Sequence, residues 1–257
     1  MSVRIVVKIT GKFIEGENLP ILVKRTKDEL DKGKEAIIVH GGGKEITKEF
    51  ELRGIKSRFI EGLRATDRED IQLIEMILSG KVNKRIVSNF LSKEIPAVGI
   101  SGKDGGMVIA VRKNPEFGYV GDIVSINVKL INLLLKNGFV PIISPVSYGT
   151  HGETLNINAD TFAAHISVST HSQRLVFITD VMGILGKDGS IVKSITTSEA
   201  KKLIDEEVIA NGMIPKVKGG IYAARNGVKE VIIGTFGNEM GFDIKGTIIR
   251  RESNEES

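Results

Sequence analysis

The sequence contains no cysteine and no tryptophan. Disulfide staples and thiolate metal sites are therefore excluded. Aromatic residues make up 5% of the 257, too few for a platform on which single-stranded nucleic acid stacks. Histidine is also scarce. His40, His151, His165 and His171 show no spacing typical of metal ligands, and no protein-held metal is expected. No apolar run reaches the roughly 18 residues that cross a bilayer. The opening Met-Ser-Val-Arg-Ile leads at once into a strand-like run without a signal-peptide pattern. A cytoplasmic protein without membrane attachment is the expectation.

What is present is ordinary in bulk: 41% hydrophobic, 26% charged, net charge +4. The length suits one large α/β domain or two lobes around a cleft. A mild positive charge fits an anionic small molecule such as a nucleotide, or an acidic protein partner. It does not call for nucleic acid. The basic residues are scattered, and solvated helix faces account for most of them.

One unit recurs along the chain. A short β-branched run is followed by glycine or another turn residue, then by a helix-like stretch. The runs lie at about 5–7, 36–39, 97–100, 140–143, 175–178 and 230–233. Nearly continuous apolar strands alternating with helices predict a mainly parallel sheet covered on both faces. Helices are expected over about 19–33, 44–53, 126–137, 159–169, 197–206 and 216–227. A longer one starts near Thr66 and reaches about Lys93, with a break at Gly80. Thr66 with Glu69, and Thr196 with Glu199, read as capping boxes. One section departs from the alternation: Met107–Lys113 and Tyr119–Val124 flank Asn114-Pro115-Glu116-Phe117-Gly118 as a β-hairpin. A tight turn is expected at Gly186-Lys187-Asp188-Gly189. The polar tail from Arg250 to Ser257 is expected to fray. The whole reads as one domain, 1–257, with two lobes that divide near 165–175.

Chemistry gathers at the strand ends. Ligands of open α/β sheets bind outside the carboxyl ends of the strands. Gly11, Gly41–Gly43, Gly102–Gly106, Gly183 and Gly234 all belong to such ends, and they are expected to converge on one rim. A turn needing positive φ explains any one cluster; several together point to backbone N–H groups facing an anion. Lys8 and Lys216 stand near opposite ends of the chain, each beside an apolar segment and glycine. Phosphoryl transfer needs positioning and charge neutralisation, which two lysines supply. Asp160 opens a predicted helix in an uncharged stretch. It can orient lysines or hold magnesium, and it also reads as an acid favoured by the helix dipole. Asp180 ends another strand, where an ordinary turn aspartate is the alternative. Walker A, Gly-x-Gly-x-x-Gly and Gly-x-Ser-x-Gly motifs are all missing.

At these residues the chain resembles the amino acid kinase family over nearly its whole length. The resemblance rests on Val-Val-Lys at Lys8, Val39-His40-Gly41-Gly42-Gly43 and Gly62-Leu63-Arg64-Ala65-Thr66-Asp67. It extends through Gly80-Lys81-Val82-Asn83-Lys84, the Gly99–Gly106 run, Asn156-Ile157-Asn158-Ala159-Asp160-Thr161, Thr179–Leu185 and Gly212–Val217. The Arg-x-Thr-Asp, Gly-Lys-Val-Asn-Lys and Asn-x-Asn-Ala-Asp runs are more specific to its acetylglutamate branch. The resemblance implies a three-layer αβα sandwich, with an N-terminal lobe (about 1–170) for the amino acid substrate and dimer contacts. A C-terminal lobe (about 171–250) binds ATP.

The implied activity is ATP-dependent phosphorylation of the γ-carboxylate of N-acetyl-L-glutamate, with Mg2+ carried by ATP. By resemblance, Lys8 and Lys216 stabilise the transition state and Asp160 organises both. Gly11, Gly42 and Gly43 contact phosphate or substrate, and Arg64 and Asn156 bind the amino acid. Asp180, Val181, Met182, Gly183, Ile184 and Leu185 line the ATP site. A planar guanidinium at Arg64 suits a carboxylate, and Asn156 suits an amide. Thr10 departs from the family, which usually has a second glycine there, and Tyr148–Glu153 is unusual beside the typical acidic turn. The chain starts at its first strand, without the extra N-terminal helix of arginine-inhibited hexamers, so a homodimer without arginine feedback is expected. The rivals are a kinase acting on glutamate or α-aminoadipate held by an acidic carrier protein, and a non-catalytic sensor.

Overall fold

The six apolar runs become six neighbouring strands of one sheet. The computed structural model describes residues 2–14, 16, 18–237 and 240–252. In chain order the first elements are β1 (Arg4–Ile9), α1 (Asn18–Leu30), β2 (Glu35–His40), α2 (Gly43–Leu52), β3 (Arg58–Ile60), β4 (Leu63–Ala65), α3 (Arg68–Glu75), α4 (Asn83–Leu91) and β5 (Ala97–Ser101). Then come β6 (Val108–Arg112), β7 (Gly121–Ile126), α5 (Lys129–Lys136), β8 (Val140–Ser144), β9 (Val146–Gly149), β10 (Thr154–Asn156) and α6 (Ala159–Ser169). The last are β11 (Arg174–Ile178), β12 (Ser194–Thr196), α7 (Thr197–Asp205), α8 (Met213–Arg225), β13 (Glu230–Thr235) and β14 (Lys245–Arg250).

The main sheet runs β12-β14-β13-β11-β1-β2-β8-β5. Every neighbouring pair is parallel except β13 with β14. Because side chains alternate along a strand, each buried strand feeds two cores. Ile5, Val7, Ile9, Ile38, Ile142 and Val176 face Leu22 of α1, Phe50 of α2 and Phe90 of α4. Val6, Ile37, Val39, Ile143, Phe177 and Ile233 face Ile131 of α5, Phe162 of α6, Ala200 of α7 and Val217 of α8. The result is the expected three-layer sandwich. β1 lies in mid-sheet, with β2, β8 and β5 on one side and β11, β13, β14 and β12 on the other. No helix among the described residues is long and apolar enough to cross a membrane.

Several local expectations change. The break at Gly80 does not occur: Met76–Val82 is a π-helical segment that joins α3 to α4. The Thr66 capping box is absent, because the Thr66 hydroxyl donates to the Arg64 carbonyl (3.0 Å) and Asp67 is the N-cap of α3. The Thr196–Glu199 box forms as expected. Of the tail expected to fray, Arg250 closes β14, and residues 253–257 lie outside those described. β14 itself is a strand that the run pattern did not show. Its antiparallel return explains Gly234: a Cβ there would lie 2.1 Å from the Lys245 carbonyl oxygen.

The expected hairpin forms as β6 and β7, in a second sheet of order β10-β9-β6-β7. Its turn is tied on both sides. Thr66 N–H donates to Phe117 O (3.1 Å), Tyr119 N–H to Thr66 O (2.8 Å) and Asn156 N–H to Tyr119 O (2.9 Å). The hairpin thus fixes the end of the β3–β4 ribbon, which carries Arg64, against β10, which carries Asn156. Gly118 sits at φ 66, where a Cβ would lie 2.3 Å from Thr66 O, so the close approach needs glycine.

Candidate functional site

Three distant residues meet at the carboxyl end of β1. Lys8 follows Val6 on the α6–α8 face of the sheet, by strand alternation. Asn158 caps α6 by accepting from the Asp160 and Thr161 amides (2.9 and 3.1 Å), which places Asp160 in the first helical turn. Lys216 lies in the first turn of α8 and donates to Gly212 O (3.0 Å). The Lys8 Nζ is 2.7 Å from Asp160 Oδ1 and the Lys216 Nζ is 3.2 Å from Asp160 Oδ2. One carboxylate therefore holds two ammonium groups from opposite ends of the sequence. The side chains of Lys8, Asp160 and Lys216 are only 6%, 6% and 11% exposed.

Burial lowers the Lys8 pKa from 10.5, the Asp160 carboxylate pulls it up without cancelling this, and the Lys216 charge pushes it further down. Burial alone would raise the Asp160 pKa, but the Lys8 and Lys216 charges outweigh it and keep the carboxylate ionised. The sign for Lys8 has two consequences. Its folded value lies below the unfolded one, so the unfolded chain binds more protons between them and this group adds stability as pH rises through that window. A function that needs the ammonium declines over the same window. The expected result is a pH profile of turnover whose alkaline limb begins below 10.5, the ordinary lysine value. A flat profile up to that pH contradicts the role of Lys8.

The glycine turn after β2 forms the adjoining wall. Gly42 precedes α2, and a Cβ on it would lie 2.4 Å from Leu78 Cδ2 of the π-helical segment. Gly43, the first residue of α2, lines the cavity and has open space where its Cβ would be. Free amides at a helix N-terminus attract anions. Gly11 packs against this end: its Cβ would lie 3.6 Å from the Gly43 and Lys44 nitrogens.

Arg64 projects from β4. Its guanidinium donates to Gly43 O (3.2 Å), Thr47 Oγ1 (2.7 Å) and Ser57 Oγ, and it lies over the rings of Phe50 (5.4 Å) and Phe59 (4.7 Å). Burial lowers its pKa from the ordinary arginine value, with Asp70 opposing, and the guanidinium stays charged.

A cavity of about 550 Å³ joins these parts. Lys8, Gly11, Gly42, Gly43, Arg64, Asn156, Asp160, Asp180, Val181 and Lys216, of the residues singled out from sequence, line it. Met182, Gly183, Ile184 and Leu185 are not on its lining. Ile184 is buried in the core, with its N–H donating to Thr247 Oγ1 (2.8 Å). A Cβ on Gly183 would lie 2.8 Å from that same hydroxyl oxygen. Met182 and Leu185 are each 53% exposed. The single rim is thus narrower than expected. Gly102–Gly106 form the turn from β5 to β6, where Asp104 accepts from Ser101 N (2.6 Å) and Ser101 Oγ (2.7 Å).

Sequence reasoning missed Lys44 and Phe59, which line the cavity together with Thr10, named from the sequence as a departure from the family, and Thr179 and Met213, named there only within motifs. Lys44 was within reach of the sequence, since it directly follows the triple glycine. Phe59 was not, because nothing local marks a ribbon residue as a cavity wall. Among the described residues that line the cavity, four carry positive charge (Lys8, Lys44, Arg64 and Lys216) and two negative (Asp160 and Asp180), so the cavity favours an anion.

The sequence profile of the amino acid kinase family matches residues 3–235. The chain belongs to the amino acid kinase family. A curated relative from Endomicrobium trichonymphae, named acetylglutamate kinase, is 40% identical over 98% of this chain and 100% of its own. Another of that name, from Geobacillus thermodenitrificans, is 39% identical over 91% of this chain and 90% of its own. A solved structure from Streptococcus mutans UA159 (smu.665) superposes with TM-score 0.86 at 31% identity, covering 96% of this chain and 98% of that one. Family membership and the lysine–aspartate–lysine cluster thus fall on the same residues.

Proposed function

We propose that the chain transfers the γ-phosphoryl group of ATP to the γ-carboxylate of N-acetyl-L-glutamate, forming an acyl phosphate for arginine biosynthesis. The observation that carries this reading is Asp160 held between Lys8 and Lys216 on the wall of the cavity. The curated relatives named acetylglutamate kinase support this acceptor and do not favour a carrier-bound one.

In this reading an oxygen of the substrate carboxylate attacks the γ-phosphorus. A new P–O bond forms, the bond to the β-γ bridging oxygen breaks, and its electron pair leaves on ADP. The nucleophile is already ionised at pH 7, so no general base is needed. His40, the histidine nearest the glycine turn, is buried with both ring nitrogens engaged, which suits structure rather than proton transfer. Lys8, Lys216 and the α2 amides offset the repulsion between a carboxylate and a triphosphate. Asp160 holds the two ammonium groups on its separate oxygens. Both of its oxygens are occupied by the lysines, and no group of three or more metal-ligating side chains exists among the described residues. Magnesium carried by ATP would supply further charge neutralisation of the triphosphate beside Lys8 and Lys216.

Arg64 and Asn156 hold the amino acid on the side built by residues up to 170. ATP lies on the side of Asp180, Val181, Gly212 and Lys216, supplied by residues after 171. Gly183 and Ile184 act there through packing on Thr247. A homodimer in the cytoplasm completes the proposal.

The test is hydroxylamine trapping of acyl phosphate with MgATP. Product with free N-acetyl-L-glutamate supports the reading; product only with a carrier-linked acceptor, or none with any carboxylate, contradicts it. Arg64→Lys separates the acceptor site from the nucleotide site. A lysine cannot reproduce the fork that spans Gly43 O, Thr47 and Ser57. The expected result is a KM for N-acetyl-L-glutamate raised about tenfold or more, the equivalent of about 1.4 kcal/mol, with KM for ATP little changed. An unchanged acceptor KM removes Arg64 from that site.

A further inference from the structure

The Gly-Lys-Val-Asn-Lys run is not used by the chemistry above, yet it delivers a fully buried amide to the glycine turn. Asn83 opens α4 and is 0% exposed. Its amide nitrogen lies 2.9 Å from Ile142 O, 3.1 Å from His40 Nε2 and 3.3 Å from Ile100 O. Two of these acceptors are backbone carbonyls, so the amide group must point its N–H bonds this way. Its oxygen accepts from Lys84 Nζ at 3.2 Å. The orientation of Asn83 is therefore settled by its neighbours.

That orientation settles the histidine. An N–H aimed at Nε2 requires a lone pair there, so the neutral ring carries its proton on Nδ1. Nδ1 lies 2.9 Å from the Gly41 carbonyl oxygen, the right partner for a donor. Burial, with help from the nearby Lys84 charge, lowers the His40 pKa to about 4 despite the Gly41 hydrogen bond, so the ring is neutral at physiological pH. Gly41 is the first residue of the turn whose next two members line the cavity. The chain also makes room for this arrangement. Gly99 lies inside β5, where glycine weakens a strand. A Cβ at Gly99 would fall 1.9 Å from Asn83 Oδ1 and 2.8 Å from Lys84 Nζ.

We propose that Asn83 and His40 are positioning residues: Asn83 fixes the Nδ1–H tautomer of His40, which pins the Gly41 carbonyl and so aims the Gly42 and Gly43 amides at the transferring group. The proposal rests on the kinase reading above. Hydrogen-bond reach at the reacting centre is sensitive to small displacements, and a shift of about 1 Å costs on the order of 10²-fold in rate. Neither side chain touches substrate. The expected mark of their loss is therefore a fall in kcat with KM nearly constant.

The experiment uses the full chain, with acyl phosphate trapped as hydroxamate. Wild-type turnover of N-acetyl-L-glutamate tests the kinase reading by itself; the relay is judged on variants relative to it. Asn83→Leu keeps the approximate volume and removes the donor. The expected result is a kcat lowered about 10- to 100-fold, with both KM values within about threefold. Gly99→Ala, which displaces Asn83 without altering it, is expected to lower kcat in the same direction. His40→Gln, which keeps an N–H for Gly41, is expected to retain more turnover than His40→Leu. A merely structural role would lower thermal stability and leave kcat per folded molecule unchanged, and that outcome overturns the proposal. Nitrogen-15 spectra of the wild-type protein provide a test that no folding defect can obscure. His40 is expected as the neutral Nδ1–H tautomer; an Nε2–H tautomer overturns the relay directly.

Discussion

Lys8→Ala and Lys216→Ala are each expected to lower kcat by about 10²- to 10³-fold while both KM values stay within about threefold. Each substitution removes a fixed charge that acts most strongly as negative charge spreads over the transferring phosphoryl oxygens. The two variants differ in what they expose. Lys8 is the more enclosed ammonium and the one nearer to Asp160, at 2.7 Å against 3.2 Å. Its loss removes a cation and also unmasks an aspartate beside the phosphate. Lys8→Ala is therefore expected to be the more severe. In an Asp160→Asn background the added cost of Lys8→Ala should shrink, because the unmasked charge is gone. Three residues acting as one unit give such non-additivity. Steady-state kinetics of the two single variants and the double variant check this. Strict additivity contradicts a shared unit.

Asp160→Asn is the second large effect. The substitution is nearly isosteric, so it isolates charge. It leaves two buried ammonium groups facing each other without a counter-charge. Breaking a buried ion pair by removing one partner costs roughly 3–5 kcal/mol. The Lys8 pKa, already lowered by burial, loses the carboxylate that supports it and falls further. The expected results are a kcat reduced about 10²-fold or more, with the deficit growing as pH rises. A phosphate-bearing ligand supplies the missing negative charge. MgADP is therefore expected to raise the melting temperature of Asp160→Asn by more than it raises that of the wild type. Equal shifts would show that Asp160 is not the counter-charge of the lysine pair.

The legibility of this chain followed burial. Ile5-Val6-Val7 and Leu175-Val176-Phe177-Ile178 are covered on both faces, so their runs are continuous and their strands plain in the sequence. β14 escaped notice because it holds only two apolar residues, Ile248 and Ile249, too short a run to mark a strand in the sequence. The π-helical segment at Met76–Val82 was invisible because Gly80 reads locally as a breaker, whereas Ile77, Leu78 and Val82 of this segment are buried in the core. The site divides in the same way. Lys8, Asp160 and Lys216 were legible because each is a charge in an apolar or glycine-rich setting. Their mutual contact was expected only by resemblance, because β1, α6 and α8 come together only through sheet order. Some glycines serve close packing, which the sequence does not distinguish from a ligand loop: Gly99 admits Asn83, Gly234 meets β14 and Gly183 meets Thr247.

The most direct measurement is a structure of the protein with MgADP, aluminium fluoride and N-acetyl-L-glutamate. The account predicts a planar fluoride group in line between the acceptor carboxylate and ADP, with the ammonium nitrogens of Lys8 and Lys216 both within hydrogen-bond distance of its fluorines. A complex in which either nitrogen stays remote from that group would contradict it.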